Sequence, residues 1–274
     1  MGDEASLLYH YTSAEGLLAI LSSRTVWATD ILYLNDSAEF SYAVGLLNSI
    51  LKEQFNLSEL SSPFTMMLEW WPQIKSFPSV YVMAFSAEAD QLGQWRGYCP
   101  PTGGFSIGFD KERLRTYAKS RGFELERCIY TSKEHTELLS GLAKEIYEVL
   151  GGRSFLAALE ENREEVLSKY GDLHRQLTKL APRIKHPLFS EEKEWRLITT
   201  GHQVNQIKVR YRASRSLIVP YVEVGPVDQY WISQIVVGPC PHIELSRQSV
   251  ERFARATLGK DIEVIASNIP YRNW

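Results

Sequence analysis

The chain has 274 residues, of which 44% are hydrophobic, enough to bury a full core in one domain spanning residues 1–274. A net charge of -3 and an isoelectric point near 6.1 exclude the broad basic field of a general nucleic-acid binder. Three widely spaced cysteines without a Cys-x-x-Cys pair exclude a disulfide framework or zinc ribbon, and with no apolar run long enough for a membrane span they predict a soluble, cytoplasmic protein.

In chain order, Tyr9, His10 and Tyr11 suit a strand, and Thr12 with Glu15 predicts a capping box for a helix buried through Leu17, Leu18, Ile20 and Leu21. A β-prone segment from Thr25 to Thr29 carries Trp27. Asp36 with Glu39 predicts the start of a helix buried through Phe40, Val44, Leu47 and Leu51. Leu60 to Ile74 reads as helix, Ser79 to Ser86 as a buried strand, Asp90 to Tyr98 as a short helix or turn, and Phe105 to Phe109 as a strand after the loop Pro100 to Gly104. Asp110 caps the next helix, and Glu124 to Tyr130 is a further strand.

Residues 133 to 185 are helical in pattern, broken at Gly151-Gly152 and Gly171, and read as an inserted helical segment. Strand patterns return at Glu194 to Thr200, Ile207 to Arg212, Ser216 to Val224 and Gln234 to Val237. A helix from Glu244 to Thr257 and a strand near Ile262 to Ala266 come last. The class is α+β.

The stretch Ser190 to Ile198 carries the densest chemistry. If Glu194 opens a strand, alternation puts Glu192, Glu194 and Arg196 on one face and Trp195 and Leu197 on the other. Two carboxylates beside a guanidinium can accept a hydroxyl hydrogen bond, stabilise positive charge and take a proton, although a solvated charged strand end explains the same pattern. Arg96 and Arg196 suit either structural ion pairs or phosphate contacts. His10 by itself is more often a strand-end histidine than a functional one, and Trp27, Phe40, Trp95 and Tyr98 are most simply core. The six histidines show no metal-ligand spacing, and the chain has neither a phosphate-binding glycine loop nor a Gly-x-Ser-x-Gly elbow, so no catalytic metal is expected.

The pieces Leu-Tyr-His-Tyr-Thr-Ser (8 to 13), Val-Trp-Ala-Thr-Asp with Leu-Asn-Asp-Ser-Ala-Glu (26 to 39), Ala-Phe-Ser with Gln-Trp-Arg-Gly-Tyr and Gly-Phe-Ser-Ile-Gly-Phe (84 to 109), Glu-Lys-Glu-Trp-Arg-Leu (192 to 197) and Val-Val-Gly-Pro (236 to 239) resemble the bacterial domain-of-unknown-function family numbered 2971 over nearly the whole chain.

More distantly, His-x-Thr ending a first strand, an aromatic-x-Thr strand and a late Glu-x-Glu resemble ADP-ribosyltransferases of the diphtheria-toxin and poly-ADP-ribose-polymerase type. That resemblance implies two packed mixed β-sheets around a cleft and NAD as substrate. His10 would bond the adenosine ribose, Thr12 would support its strand end, and Trp27, in the segment ending at Thr29, would flank the nicotinamide together with Phe40. Glu194 would bond the nicotinamide ribose and steady its cation. Glu192 would orient or deprotonate the target. Tyr11 stands where that superfamily often has glycine.

The activity expected is transfer of ADP-ribose to a macromolecule (protein, DNA or RNA), as a toxin or phage-defence effector. NAD hydrolysis is the close variant, a non-catalytic nucleotide- or protein-binding module the rival from another class, and a metal-dependent hydrolase a third reading. The sequence leaves the oligomeric state open.

Overall fold

The computed structural model describes residues 5–34, 38–57, 79–199, 208–214, 216–227 and 230–271. The expected helix over Leu60 to Ile74 and the capping residue Asp36 lie outside them. Among the described residues ten strands form one branched sheet: β1 (Leu7–Thr12), β2 (Val26–Asp30), β3 (Tyr81–Ser86), β4 (Phe105–Asp110), β5 (Phe123–Arg127), β6 (Glu194–Thr199), β7 (Arg210–Ala213), β8 (Ile218–Val224), β9 (Ile232–Val237) and β10 (Glu263–Ala266). The main path runs β10-β9-β4-β1-β3-β2-β8-β7, while β6 and β5 branch from β3. The β9–β10 pair is parallel and the other strand pairs are antiparallel. The α+β class therefore holds, whereas the expected two packed sheets are replaced by a continuous sheet that branches.

The branch opens a gap in the sheet. One edge of β3 pairs with β6 from Val82↔Ile198 to Ser86↔Glu194. The other edge is shared, with β2 opposite Tyr81 and Val82 and β1 opposite Ser86. Between those contacts β1 and β2 part, leaving a notch beside Met83, Ala84 and Phe85.

Seven helices of seven residues or more are described: α1 (Ala14–Ser23), α2 (Ala38–Phe55), α3 (Leu92–Tyr98), α4 (Lys111–Arg121), α5 (Ser132–Leu150), α6 (Phe155–Leu180) and α7 (Ile243–Leu258). The capping of α1 differs from expectation by one residue. Ser13, not Thr12, accepts from the Gly16 N–H at 3.2 Å, because Thr12 is still extended as the last residue of β1. Asp110 caps α4 as expected, accepting from the Arg113 N–H.

Two main cores result. Leu17, Ile20 and Leu21 of α1, Leu114 and Ala118 of α4, and Val250, Ala254 and Leu258 of α7 pack against Leu8, Val26, Met83, Phe85, Ile107, Leu197 and Ile235 of the sheet. The other core joins α2, α5 and α6 through Val44, Leu47, Leu139, Leu142, Ile146, Leu173 and Leu177. The helical segment over 133 to 185 is thus present and has its own core with α2. It does not break at Gly171, where the neighbours hold α6 straight through. The non-helical backbone is instead at Asn162 (φ -146°, ψ 76°). Among the described residues no helix is long and apolar enough to cross a membrane.

Candidate functional site

Strand alternation on β6 sends Trp195 and Leu197 into the sheet core and Glu194 and Arg196 toward the helical layer. There they meet two residues whose role the sequence did not reveal. Arg196 donates to Glu39 of α2 through Nη1 at 2.6 Å and Nη2 at 2.9 Å, and through Nε to Glu194 Oε1 at 2.6 Å. Lys185 Nζ, just past α6, donates at 2.6 Å to Glu194 Oε2 and at 2.6 Å to Glu192 Oε2, and lies 3.4 Å from Glu39 Oε1. Lys193, in the left-handed region at φ 44°, turns the chain between Glu192 and Glu194, so both carboxylates reach one ammonium although Glu192 precedes the strand. Three carboxylates against two cations leave this buried cluster one negative charge in excess.

The two carboxylates differ in their surroundings. Burial pushes Glu194 up, but the charges and hydrogen bonds of Arg196 and Lys185 outweigh it and hold Glu194 below the ordinary carboxylate range. Burial raises Glu192, and its contact with Lys185 compensates only in part. Glu192 Oε1 has no partner among the described residues, whereas both oxygens of Glu194 are engaged. The pair therefore combines a fixed anion with a carboxyl suited to proton transfer.

The notch in the sheet opens into a cavity of about 150 Å³ that brings the two ends of the sequence pattern together. His10, Trp27, Thr29, Leu34, Phe85, Gln94, Tyr98, Glu192 and Glu194 all line it. His10 shares a strand face with the core residue Leu8 and enters the notch from that side, its ring 6.3 Å from Phe85. Burial lowers its pKa, so it is neutral near pH 7. Its Nδ1 lies 3.0 Å from the Ala84 carbonyl, which fixes that nitrogen as donor and leaves Nε2 as acceptor. Trp27 is 43% exposed and packs on Tyr221 with centroids 4.5 Å apart. Tyr98 is pushed up to about 12 by burial and by the Glu192 and Glu194 charges, which keeps its hydroxyl a donor.

Other candidates lie elsewhere. Phe40 is buried in the helical core, so it does not flank the cavity. Arg96 lines a separate cleft of about 210 Å³ beside Trp95, Cys99 and Tyr271. The Arg196 fork is consumed by Glu39, Glu194 and the Pro182 carbonyl, so it has nothing to offer a phosphate. Tyr11, by contrast, lines the same cavity as His10, although its ring packs on Trp95 and its hydroxyl donates to the Glu88 carbonyl at 2.7 Å. Thr12 stands beyond the cavity, its side chain against Gly16 and its carbonyl accepting from Cys99 Sγ at 3.4 Å.

Gln94, Lys185, Glu39 and Phe85 were not legible as site residues, because nothing in their local pattern marks them. A larger groove of about 660 Å³ between α5 and α6 has the charged walls Glu145, Glu148, Lys169, Asp172 and Arg175, which form solvated pairs rather than a converging set. Among the described residues no group of three or more His, Cys, Asp or Glu is placed to hold a metal ion.

Residues 94–197 match the model of a family described as protein of unknown function (DUF2971). That span runs from within α3 to within β6 and holds both carboxylates, but not β1 or β2, so the likeness is narrower than the motifs at 8 to 13, 26 to 39 and 236 to 239 imply. No curated protein and no solved structure matches the chain.

Proposed function

We propose that the chain cleaves the nicotinamide–ribose bond of NAD and transfers ADP-ribose to a macromolecular acceptor. What supports the reading is one observation: His10 from the first strand and the Glu192–Glu194 pair, 182 to 184 positions later, line one cavity with Trp27 and Thr29. Breaking the C1′–N bond returns its electron pair to the ring nitrogen, so nicotinamide leaves neutral and positive charge stays on the ribose. The fixed anion Glu194 stabilises that charge. A hydroxyl or amine of the acceptor attacks C1′, and its proton passes to Glu192 Oε1. His10 Nε2 accepts from a ribose hydroxyl. Water in place of the acceptor turns the same steps into NAD hydrolysis. A consumer of NAD with this chemistry would suit a toxin or phage-defence effector.

A second reading is favoured by the engagement of both Glu194 oxygens: the cluster serves architecture, and the cavity recognises a ligand without reacting on it. Incubating the protein with NAD labelled in the adenylate and a cell lysate separates these. Label on protein, DNA or RNA supports transfer, free labelled ADP-ribose supports hydrolysis, and intact NAD leaves the recognition module.

A further inference from the structure

The face of the sheet that carries Glu194 continues past the cavity toward the edge strand β7. Glu194, Arg196 and Ile198 share one face of β6; Ile198 is opposite Val82 of β3, Val82 opposite Thr29 of β2, and Thr29 opposite Tyr221 of β8. Directly opposed residues of antiparallel strands project to the same side. Tyr221 is in turn opposite Arg210 of β7, so Arg210 and, two residues on, Arg212 stand on that face as well. The side-chain contacts agree, with Trp27 packed on Tyr221 and Arg210 Nη2 3.0 Å from Glu223 Oε2.

The two arginines of β7 differ in what meets them. Arg210 has Glu223 beside it, whereas Arg212 has no carboxylate partner among the described residues. Its Nη2 lies 3.4 Å from Thr29 Oγ1, its Cζ lies 5.8 Å from the centroid of the Trp27 ring, and its Nε is buried without a hydrogen bond. A guanidinium carries five N–H donors in a planar fork that matches an oxyanion, so this one has capacity left over. Both residues that it touches line the cavity.

Size and charge say what the capacity is for. A cavity of about 150 Å³ takes one ring with a small substituent, so the rest of a dinucleotide has to lie outside it. Trp27, half exposed, stands at the rim, with Arg212 against it. On the inner side, Glu192, Glu194 and Glu39 exceed Lys185 and Arg196 by one negative charge. On the rim side, Arg212 is a cation without a countercharge among the described residues. NAD has the same polarity, with a cationic nicotinamide ring at one end and an anionic diphosphate beyond the ribose.

We propose that Arg212 binds the diphosphate of the dinucleotide at the rim while the nicotinamide ring occupies the cavity; the inference rests on the NAD reading. Arg212 is then the residue that separates NAD from phosphate-free nicotinamide riboside.

The test is calorimetric titration of ADP-ribose and of nicotinamide into the wild-type chain, Arg212→Gln and Arg212→Lys, with NAD consumption measured in parallel. ADP-ribose affinity should fall roughly 10- to 100-fold in Arg212→Gln, the size of one charge-assisted contact, and the loss for NAD should appear in KM more than in kcat. Arg212→Lys should recover part of it, because an ammonium keeps the charge but not the fork. Nicotinamide affinity should not change, which also reports an intact cavity. Equal ADP-ribose binding in wild type and Arg212→Gln, or parallel losses for ADP-ribose and nicotinamide, overturns the role of Arg212 and leaves the NAD reading standing where the wild type consumes NAD. A variant that loses only the label transferred to nucleic acid assigns the arginine to the acceptor and overturns it too. ADP-ribose binding that depends on Arg212 in a chain that leaves NAD intact supports the diphosphate site and removes the cleavage reading. A wild-type chain that binds neither compound and leaves NAD intact removes both.

Discussion

Arg196 holds both carboxylate oxygens of Glu39, at 2.6 and 2.9 Å, across 157 positions of sequence. This fork ties β6 to α2 and so fixes the face on which the two candidate catalytic carboxylates stand. Removing one partner of such a buried pair leaves the other charged and uncompensated. Arg196→Met should therefore cost about 3–5 kcal/mol, read as a lower urea midpoint with little change in slope. Arg196→Lys should recover only part, because an ammonium cannot bridge Glu39 and Glu194 in one plane. An unchanged midpoint in Arg196→Met would show that the cluster does not hold the sheet to the helices.

Glu192 and Glu194 separate by what each variant loses. Glu194→Gln keeps the shape of the side chain but removes the charge that the proposed reaction needs opposite the ribose. Nicotinamide release should fall by roughly 10²–10³-fold, with circular dichroism confirming the fold. Glu192→Gln should leave NAD binding intact and slow the transfer step by roughly 10²–10⁴-fold. Burial raises the pKa of Glu192, so the base is ionised only above the ordinary carboxylate range, and the acid limb of the rate–pH profile should lie correspondingly high. That limb should vanish in Glu192→Gln. Equal rates in wild type and both variants would leave neither carboxylate in the chemistry.

Local pattern carried far in this sequence where chemistry and structure agree residue by residue. The aromatic run at Tyr9 to Tyr11 and the apolar spacing of Leu17, Ile20 and Leu21 announce β1 and α1 because each is a short-range signal of burial. The alternation through Glu194 and Arg196 likewise puts them on one face. The branch at β3 is not readable, since it arises from three strands, β1, β2 and β6, sharing the two edges of β3 over long sequence separations. Lys185 is equally silent: it comes after a charged helix and looks like one more solvated lysine until Glu39, Glu192 and Glu194 close on it. Phe40 shows the converse error, where a motif-based role yields to ordinary helix packing.

The stability of the chain should fall in mild acid. His174, on α6, is buried in the helical layer, and burial lowers its pKa from 6.5 to about 4. His10 is lowered for the same reason. A histidine with a depressed folded pKa takes up its proton first in the unfolded chain. Its stabilising contribution is complete above about 6.5 and is lost as pH falls toward the folded value, amounting to roughly 3 kcal/mol for His174 at the acid end. Urea midpoints measured between pH 7 and pH 4 should decline, and His174→Gln should flatten the slope. A midpoint independent of pH in wild type would contradict this.

The end of β1, on which His10 depends, is held by a close approach that admits no side chain. A Cβ at Gly104 would overlap the Cys99 side chain and stand 3.0 Å from the Thr12 carbonyl, while the Gly104 carbonyl accepts from the Gly238 N–H at 2.9 Å. With a backbone bond on one side and a strand end on the other, the segment has little room to shift. Gly104→Ala should destabilise by about 1–3 kcal/mol through overpacking, seen as a lower thermal midpoint. Most of the overlap is with the thiol-bearing side chain. Trimming it in Gly104→Ala/Cys99→Ala should recover part of the loss, and the double-mutant cycle should give a coupling of at least about 0.5 kcal/mol. Strict additivity of the two substitutions would mean that Cys99 and Gly104 do not meet, and that the strand end is positioned by other contacts.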